Sequence, residues 1–328
     1  MKKWHLAWLI FLISFSIRGQ EGTKTGFFVP SDTLNPTRFW ICAGGGAALY
    51  SGASIGLYHA WYKGFELTRF HLFNDWREWR HMDKAGHFFT THMESNLAFR
   101  GALWTGMNRK SAAWAGFGVG MLLQSTIEIM DGFSAKWGFS LSDMGFNLLG
   151  GGLFLSQELL WQEQRFLVKT SYMEPNYSQA PIFASEGSGT TTLAERAREL
   201  YGVSYPERFL KGYNGLTIWL SANPASFQKS KHSGWPVWLN IAAGYGAENL
   251  YGGFDNRWET EGSIFESDDR LYPRFSQYYL SLDIDFSRIP TRKPWLKTIF
   301  HTINWLKVPA PALEFQSRGK FRLHPLMW

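Results

Sequence analysis

The chain has 328 residues, of which 45% are hydrophobic, enough for two modest domains and a sizeable core. Its formal charge of +6 is spread without a Lys/Arg run, which argues against a nucleic-acid partner and leaves a mild attraction to anionic headgroups. Aromatic residues make up 17%, including 17 Trp, a richness that suits a membrane–water interface.

The N-terminus opens "MKKWHLAWLIFLISFSIRGQ", two lysines followed by an apolar run. As a helix that run spans about 18 Å, short of a hydrocarbon core of about 30 Å, so residues 1–20 read as a signal peptide. Cys42, the one cysteine, excludes an internal disulfide and reads as a small buried apolar residue.

A helical domain is expected over 35–165, with helices near 39–62, 83–107, 111–130 and 143–162. The first carries no Asp, Glu, Lys or Arg between Arg38 and Lys63 and is long enough to span a bilayer. Small residues recur at i+4 spacing, Gly44, Ala48, Gly52 and Gly56 in the first helix and Ala112, Gly116 and Gly120 in the third. Such a stripe predicts close helix–helix contact.

Residues 166–211 read as a linker with a short helix, "LAERARELYG". From 212 to 328 the text alternates in strand fashion, in "LTIWLSA", "VWLNIAAGYGAEN", "QYYLSLDIDFS" and "LEFQSRGKFRL". In the third, Tyr278, Leu280 and Leu282 share one face, while Tyr279, Ser281 and Asp283 share the other. The fold class is therefore α+β, an N-terminal hydrophobic bundle of about four helices followed by a small antiparallel strand-rich region. An exported chain ending in Trp328 suggests an outer-membrane β-structure, but a closed single-chain barrel needs about eight strands and only four or five are readable.

The polar residues that interrupt the helical text are the candidate site. Asp83, His87 and Thr91 lie at i+4 spacing on one ridge, with Asp83 where a helix N-cap belongs. Ser140 and Asp143 have the form of a capping box. Glu128 and Asp131 precede Gly132 at a helix C-terminus, where the dipole disfavours anions, so capping does not explain them. Their directions and that of Gln124 fall within roughly 100° of the Gly120 face. They are expected to point into the bundle, toward Lys84, Lys136 and His87 and the N-terminal ends of two neighbouring helices.

The resulting knot of His87, Asp83, Glu128, Asp131 and Asp143 is either a structural lock or a catalytic cluster with His87 as base. Ligation of a metal by it is left open. No H-E-x-x-H pair, G-x-S-x-G elbow or phosphate-cradling glycine loop is present, and no cofactor is called.

The segments "MDKAGHFFTTH", "SAAWAGFGVGMLLQSTIEIMD" and "WGFSLSDMGFNLLGG" together resemble the YfiM-like predicted periplasmic lipoproteins of unknown function and, more distantly, VanZ-like membrane proteins. The resemblance covers about residues 80–155, through Asp83, Lys84, His87, Phe88, Glu128, Asp131, Ser140, Asp143, Asn147 and Gly150. This chain has no cysteine directly after the apolar run, so the likeness does not extend to an acyl anchor. The resemblance implies an exported, periplasm-facing envelope location and the importance of the knot; the strand-rich half favours the outer membrane, with membrane lipid or an envelope protein as the expected partner. The resemblance implies no reaction. A structural or interaction role is the first expectation, and a hydrolase or transferase acting on lipid or cell-wall material the alternative.

Overall fold

The computed structural model describes residues 26–62, 65–228 and 234–328, so the expected signal peptide (1–20) lies outside the described residues. Four helices come first. α1 (Pro36–Leu57) starts on Asn35, whose side chain accepts from the Arg38 amide at 3.0 Å, and it runs on into a π-turn over Tyr58–Tyr62. α2 (Met82–Trp104), α3 (Arg109–Gly132) and α4 (Leu141–Leu160) follow.

α2 is the central helix, packed on both α3 and α4. The small residues of α3 allow this. A Cβ on Gly116 would lie 2.5 Å from the Ser95 carbonyl, and one on Gly120 would overlap the Ser95 hydroxyl. Gly150 of α4 meets the Phe88 carbonyl in the same way. Phe99, Ala112, Ala113 and Phe154 close the interior between the three helices.

α1 corrects two expectations. It is exposed along nearly its whole length, and nothing lies within 4 Å of where a Cβ would stand on Gly44, Gly52 or Gly56. Its small-residue stripe therefore packs on no helix among the described residues. The helix touches the bundle through Cys42 against Gly101, and the Tyr50 hydroxyl lies 2.8 Å from that of Thr126. Cys42 is half-buried, not enclosed. No helix among the described residues is long and apolar enough to cross a membrane, so the bilayer-spanning expectation for α1 fails. The physical reason is composition. Freedom from charge is not apolarity, and Gly, Ser, Tyr and Trp dilute this helix.

The strand-rich half holds one six-stranded antiparallel sheet. Its members are β1 (Phe166–Tyr172), β4 (Leu216–Ala222), β5 (Leu239–Glu248), β8 (Phe275–Ile284), β9 (Ala310–Gln316) and β10 (Phe321–Met327), in the spatial order β1-β4-β5-β8-β9-β10. Two small hairpins, β2 (Ile182–Phe183) with β3 (Thr190–Thr191) and β6 (Arg257–Thr260) with β7 (Ser263–Glu266), sit outside it. Short helices α5 (Leu193–Tyr201), α6 (Tyr205–Lys211) and α7 (Pro294–Ile303) complete the chain. Residues 166–172, read from sequence as the start of a linker, instead form β1.

The predicted alternation in β8 is present, but the polar face is the buried one. Tyr278, Leu280 and Leu282 are exposed, whereas Gln277, Tyr279, Ser281 and Asp283 are buried. Register carries the same split across the sheet. Leu220, Ala243, Leu280, Leu313 and Leu323 form one outward row, and Trp219, Gly244, Tyr279, Glu314 and Arg322 run beside it on the other side.

Inside, the Lys169 ammonium lies 2.8 Å from Asp283, and the Ser221 hydroxyl donates to the same carboxylate at 2.7 Å. Trp219, Ala242, Tyr279, Ala312 and Met327, drawn from five neighbouring strands, share one cluster on this polar side. The Lys307 amide donates to the Thr170 carbonyl at 2.9 Å, which ties the stretch leading into β9 back to β1.

Part of the outward face is covered. Met82 and Phe89 of α2 pack on Val168, Leu216, Ile218 and Ala247, and this layer joins helices to strands. Beyond it Leu220, Ile241, Leu280, Leu282, Phe315 and Leu323 are open.

Candidate functional site

The site is organised around Lys84, on the first turn of α2. The chain enters that helix through three consecutive left-handed residues, Trp79 (φ 48°), Arg80 (φ 49°) and His81 (φ 64°). Such conformations cost about 1–3 kcal/mol each and need outside support. Here the Trp79 amide donates to the Gly253 carbonyl at 2.7 Å, Arg80 Nε donates to the Ser276 hydroxyl at 3.1 Å, and the Tyr245 hydroxyl donates to the Arg80 carbonyl. His81, not Asp83, takes the N-cap position, and no side chain caps the helix. Asp83 is thereby free to face inward.

Lys84 is fully buried, with its ammonium 2.6 Å from Asp75, 2.8 Å from Asp143 and 3.5 Å from Asp83. Asp75 also accepts from the Ser140 and Ser142 hydroxyls at 2.7 Å each. Asp83 accepts from the Tyr213 hydroxyl at 2.7 Å, a contact from the strand-rich half.

Ser140 caps α4 as its sequence suggested, accepting from the Asp143 amide at 3.0 Å. The reciprocal half of a capping box is replaced, because the Ser140 amide donates to Glu128 at 3.1 Å. Glu128 also lies 3.3 Å from His87 Nε2, with Asp143 at 3.9 Å from the same atom. His87 Nδ1 is 3.1 Å from the Asn147 side-chain oxygen Oδ1, which lies 2.9 Å from the Thr91 hydroxyl.

All five residues singled out by sequence, Asp83, His87, Glu128, Asp131 and Asp143, are thus drawn toward one region. Of the expected donors, His87 and Lys84 reach these acids. Lys136 does not reach the acids; its ammonium lies over the Phe65 and Trp137 rings at 4.2 and 4.9 Å. Asp131 is instead held by the Tyr62 hydroxyl at 2.6 Å.

Asp75, Tyr62, Ser142 and Tyr213 are participants that the sequence reading did not find. Asp75 lies in the loop "HLFNDWREW", which has no periodicity to mark an inward face, and Tyr213 lies in a turn 130 residues from its partner. No sequence signal pointed to either.

Burial dominates the electrostatics. It pushes Glu128 up to about 8 against the opposing pull of His87, and Asp131 up to about 6 against the Tyr62 hydrogen bond. Burial, the charge of Asp83 and the hydrogen bond with Asp75 push Asp143 up to about 9. Asp75 moves the other way. Burial opposes its ionisation, but hydrogen bonds from Asp143, Lys84, Ser140 and Ser142 outweigh that and hold it far below the usual carboxylate range. Asp143 is therefore the protonated member of the pair at neutral pH. For Lys84, burial is outweighed by Asp83, Asp143 and Asp75, and its ammonium is favoured.

A cleft of about 300 Å³ opens beside the cluster, with Asp83, His87 and Asp131 at its polar floor and Trp79, Trp137 and Tyr213 among its walls. Asp83, His87 and Asp143 each offer one ligand atom, and these lie within 4.8 Å of one another, a spacing that suits a cation. Lys84 already supplies a cation to the two carboxylates.

Residues 73–156, roughly a quarter of the chain, match the family described as "Predicted periplasmic lipoprotein (DUF2279)". The matched stretch runs from just before Asp75 through most of α4, and it includes Lys84, His87, Glu128, Asp131 and Asp143. It resembles a periplasmic protein of unknown function, in agreement with an exported, envelope-associated chain. Neither the curated proteins nor the solved structures contain a significant match.

Proposed function

We propose that this chain is a membrane-associated envelope protein with a structural or interaction role, facing the periplasm and associated with the outer membrane. Its strand half would lie against lipid, and its helical half would be locked by the Lys84 cluster. The observation that carries this reading is the reversed sheet. The exposed apolar residues Leu220, Ile241, Leu280, Leu282, Phe315 and Leu323 stand on one face, while Lys169, Asp283 and Glu314 are enclosed on the other.

In water that arrangement forfeits burial worth about 25 cal/mol per Å² of apolar surface. Against acyl chains it is the favourable one, as in lipid-facing strands. The relation to YfiM-like proteins belongs to the same reading and supports the compartment.

Flotation of the purified chain with phosphatidylethanolamine–phosphatidylglycerol vesicles tests it. Wild type should float, and the double variant Leu280→Asp/Leu323→Asp should stay at the bottom of the gradient. A double variant that floats as well as wild type would sink the proposal.

A second reading, a hydrolase or transferase acting on lipid or cell-wall material, is favoured by the cleft over His87 and the grouped ligand atoms of Asp83, His87 and Asp143. In it His87 is the base, and Glu128, Asp131 and Asp143 are acids or metal ligands. Stoichiometric divalent metal in purified protein, together with lost envelope function in an equally stable Glu128→Gln/Asp131→Asn variant, would favour it over the structural role.

A further inference from the structure

A second cavity, of about 680 Å³, lies away from the Lys84 cluster, between residues 27–30, the C-terminal half of α2 and helix α7 with the turn before it. Phe27, Phe28, Ile41, Leu97 and Trp104 give it apolar walls, and Arg100, Arg292, Lys293 and Lys297 give it a cationic rim. Among the described residues no Asp or Glu lines it.

Arg100 is the informative residue. Its Nε is buried without a hydrogen-bond partner, and among the described residues its guanidinium forms no ion pair, only a contact over the Phe99 ring at 5.5 Å. The acids whose charge it feels are engaged elsewhere, Glu158 with Arg109 at 2.6 Å and Asp285 with Arg288 at 3.0 Å. Arg292, Lys293 and Lys297 likewise have no ion-pair partner among the described residues. Burial pushes His301 down to about 4, and the charges of Arg100 and Lys297 add to it.

Arg100 as a whole is only partly buried, but its enclosed Nε without an anion is costly, and its guanidinium supplies a planar fork suited to carboxylate or phosphate. An apolar cavity with a few convergent polar groups, in the range of about 300–1,000 Å³, is the usual form of a small-molecule site. We propose that this cavity binds a single-chain anionic amphiphile, its carboxylate or phosphate head held by Arg100 and Lys297 and its acyl chain laid along Phe27, Leu97 and Trp104. The site shares no lining residue with the Lys84 cleft. It also does not depend on the sheet's contact with lipid, so the two proposals fail separately.

Equilibrium binding to the detergent-solubilised full-length chain tests this, with radiolabelled palmitate and 1-palmitoyl-lysophosphatidic acid as the carboxylate and phosphate probes. Monopalmitoylglycerol and hexadecyltrimethylammonium serve as neutral and cationic controls. One equivalent of an anionic probe should bind, with the controls weaker by about tenfold or more, as expected for a charge-assisted contact. The tighter of the two anionic probes identifies the head group.

Arg100→Gln should weaken the anionic probe by about tenfold while leaving the neutral one unchanged. Thr298→Trp, at an exposed lining position, should block all probes by filling the cavity. Should Arg100→Gln fail to fold, Lys297→Gln at an exposed position gives the same charge test. Equal binding of palmitate and monopalmitoylglycerol, or palmitate binding untouched by both the charge and the filling variants, would overturn the assignment.

Discussion

Replacing Lys84 by Met tests the centre of the helical domain. Met keeps nearly the length of the side chain but removes the ammonium that lies 2.6 Å from Asp75 and 2.8 Å from Asp143. Breaking a buried pair by deleting one partner costs about 3–5 kcal/mol, because the remaining charge is left without compensation. The lower end applies here. Asp143 already holds a proton, and Asp75 keeps two hydroxyl donors.

A loss of about 3 kcal/mol, with a urea slope of about 3 kcal/mol/M for a chain this size, moves the unfolding midpoint down by about 1 M. Tryptophan fluorescence in urea, in detergent at pH 7, reads it directly. Adding Asp75→Asn removes the orphaned carboxylate and should recover about half of the loss by the same argument. A Lys84→Met protein within about 0.5 kcal/mol of wild type, a change typical of surface substitutions, would refute the claim that this lysine holds the domain.

Stability should fall as pH rises from about 5 to 8. The folded forms of Glu128 (about 8), Glu94 and Glu78 (about 7 each) and Asp131 (about 6) hold protons that the unfolded chain has released, so the folded state binds more protons across this window. Asp75, shifted downward, works oppositely below that range, and His92 and His301, each pushed down to about 4 by burial, offset part of the fall between about pH 5 and 6.5, where the unfolded chain's imidazoles hold protons that the folded ones do not. Glu128→Gln should flatten the pH dependence between pH 6 and 8, as read by thermal unfolding at a series of pH values. Gly116→Leu should destabilise by about 1–3 kcal/mol or more by forcing α3 off α2, whereas Gly118→Ala, facing open space, should gain about 0.5–1 kcal/mol. Tyr213→Phe should cost about 1–3 kcal/mol by leaving Asp83 with only the Lys84 ammonium at 3.5 Å as a donor, measured as a shift in urea midpoint.

Helices α2, α3 and α4 were legible because periodicity, the Ser140 cap and the Gly116–Gly120 stripe are local properties. The inward direction of Glu128 and Asp131 was legible for a related reason, since a carboxylate at a helix C-terminus conflicts with the dipole and so needs a partner elsewhere. Beyond His87 and Lys84, the partners were not legible. Asp75 reaches Lys84 only through the left-handed run at Trp79, Arg80 and His81, and Tyr213 reaches Asp83 across 130 positions.

α1 misled because an uncharged stretch with regularly spaced glycines has the same text whether those glycines face a helix or nothing. In β8 the period was readable but the sign was not, because alternation separates two faces without saying which of them faces solvent.

The layer between α2 and the strands bears on how such a segment can exist in other chains. Residues 73–156 contain Met82 and Phe89 but neither Ile218 nor Ala247, on which those two side chains rest, nor the phenol that Asp83 receives. Cut out by itself, the stretch would lose this apolar cover and the Tyr213 donor to Asp83 at once. A shorter protein built on the same segment must bring a different cover, whether an added helix, a second subunit or the bilayer, and the identity of that cover is where two such proteins would diverge.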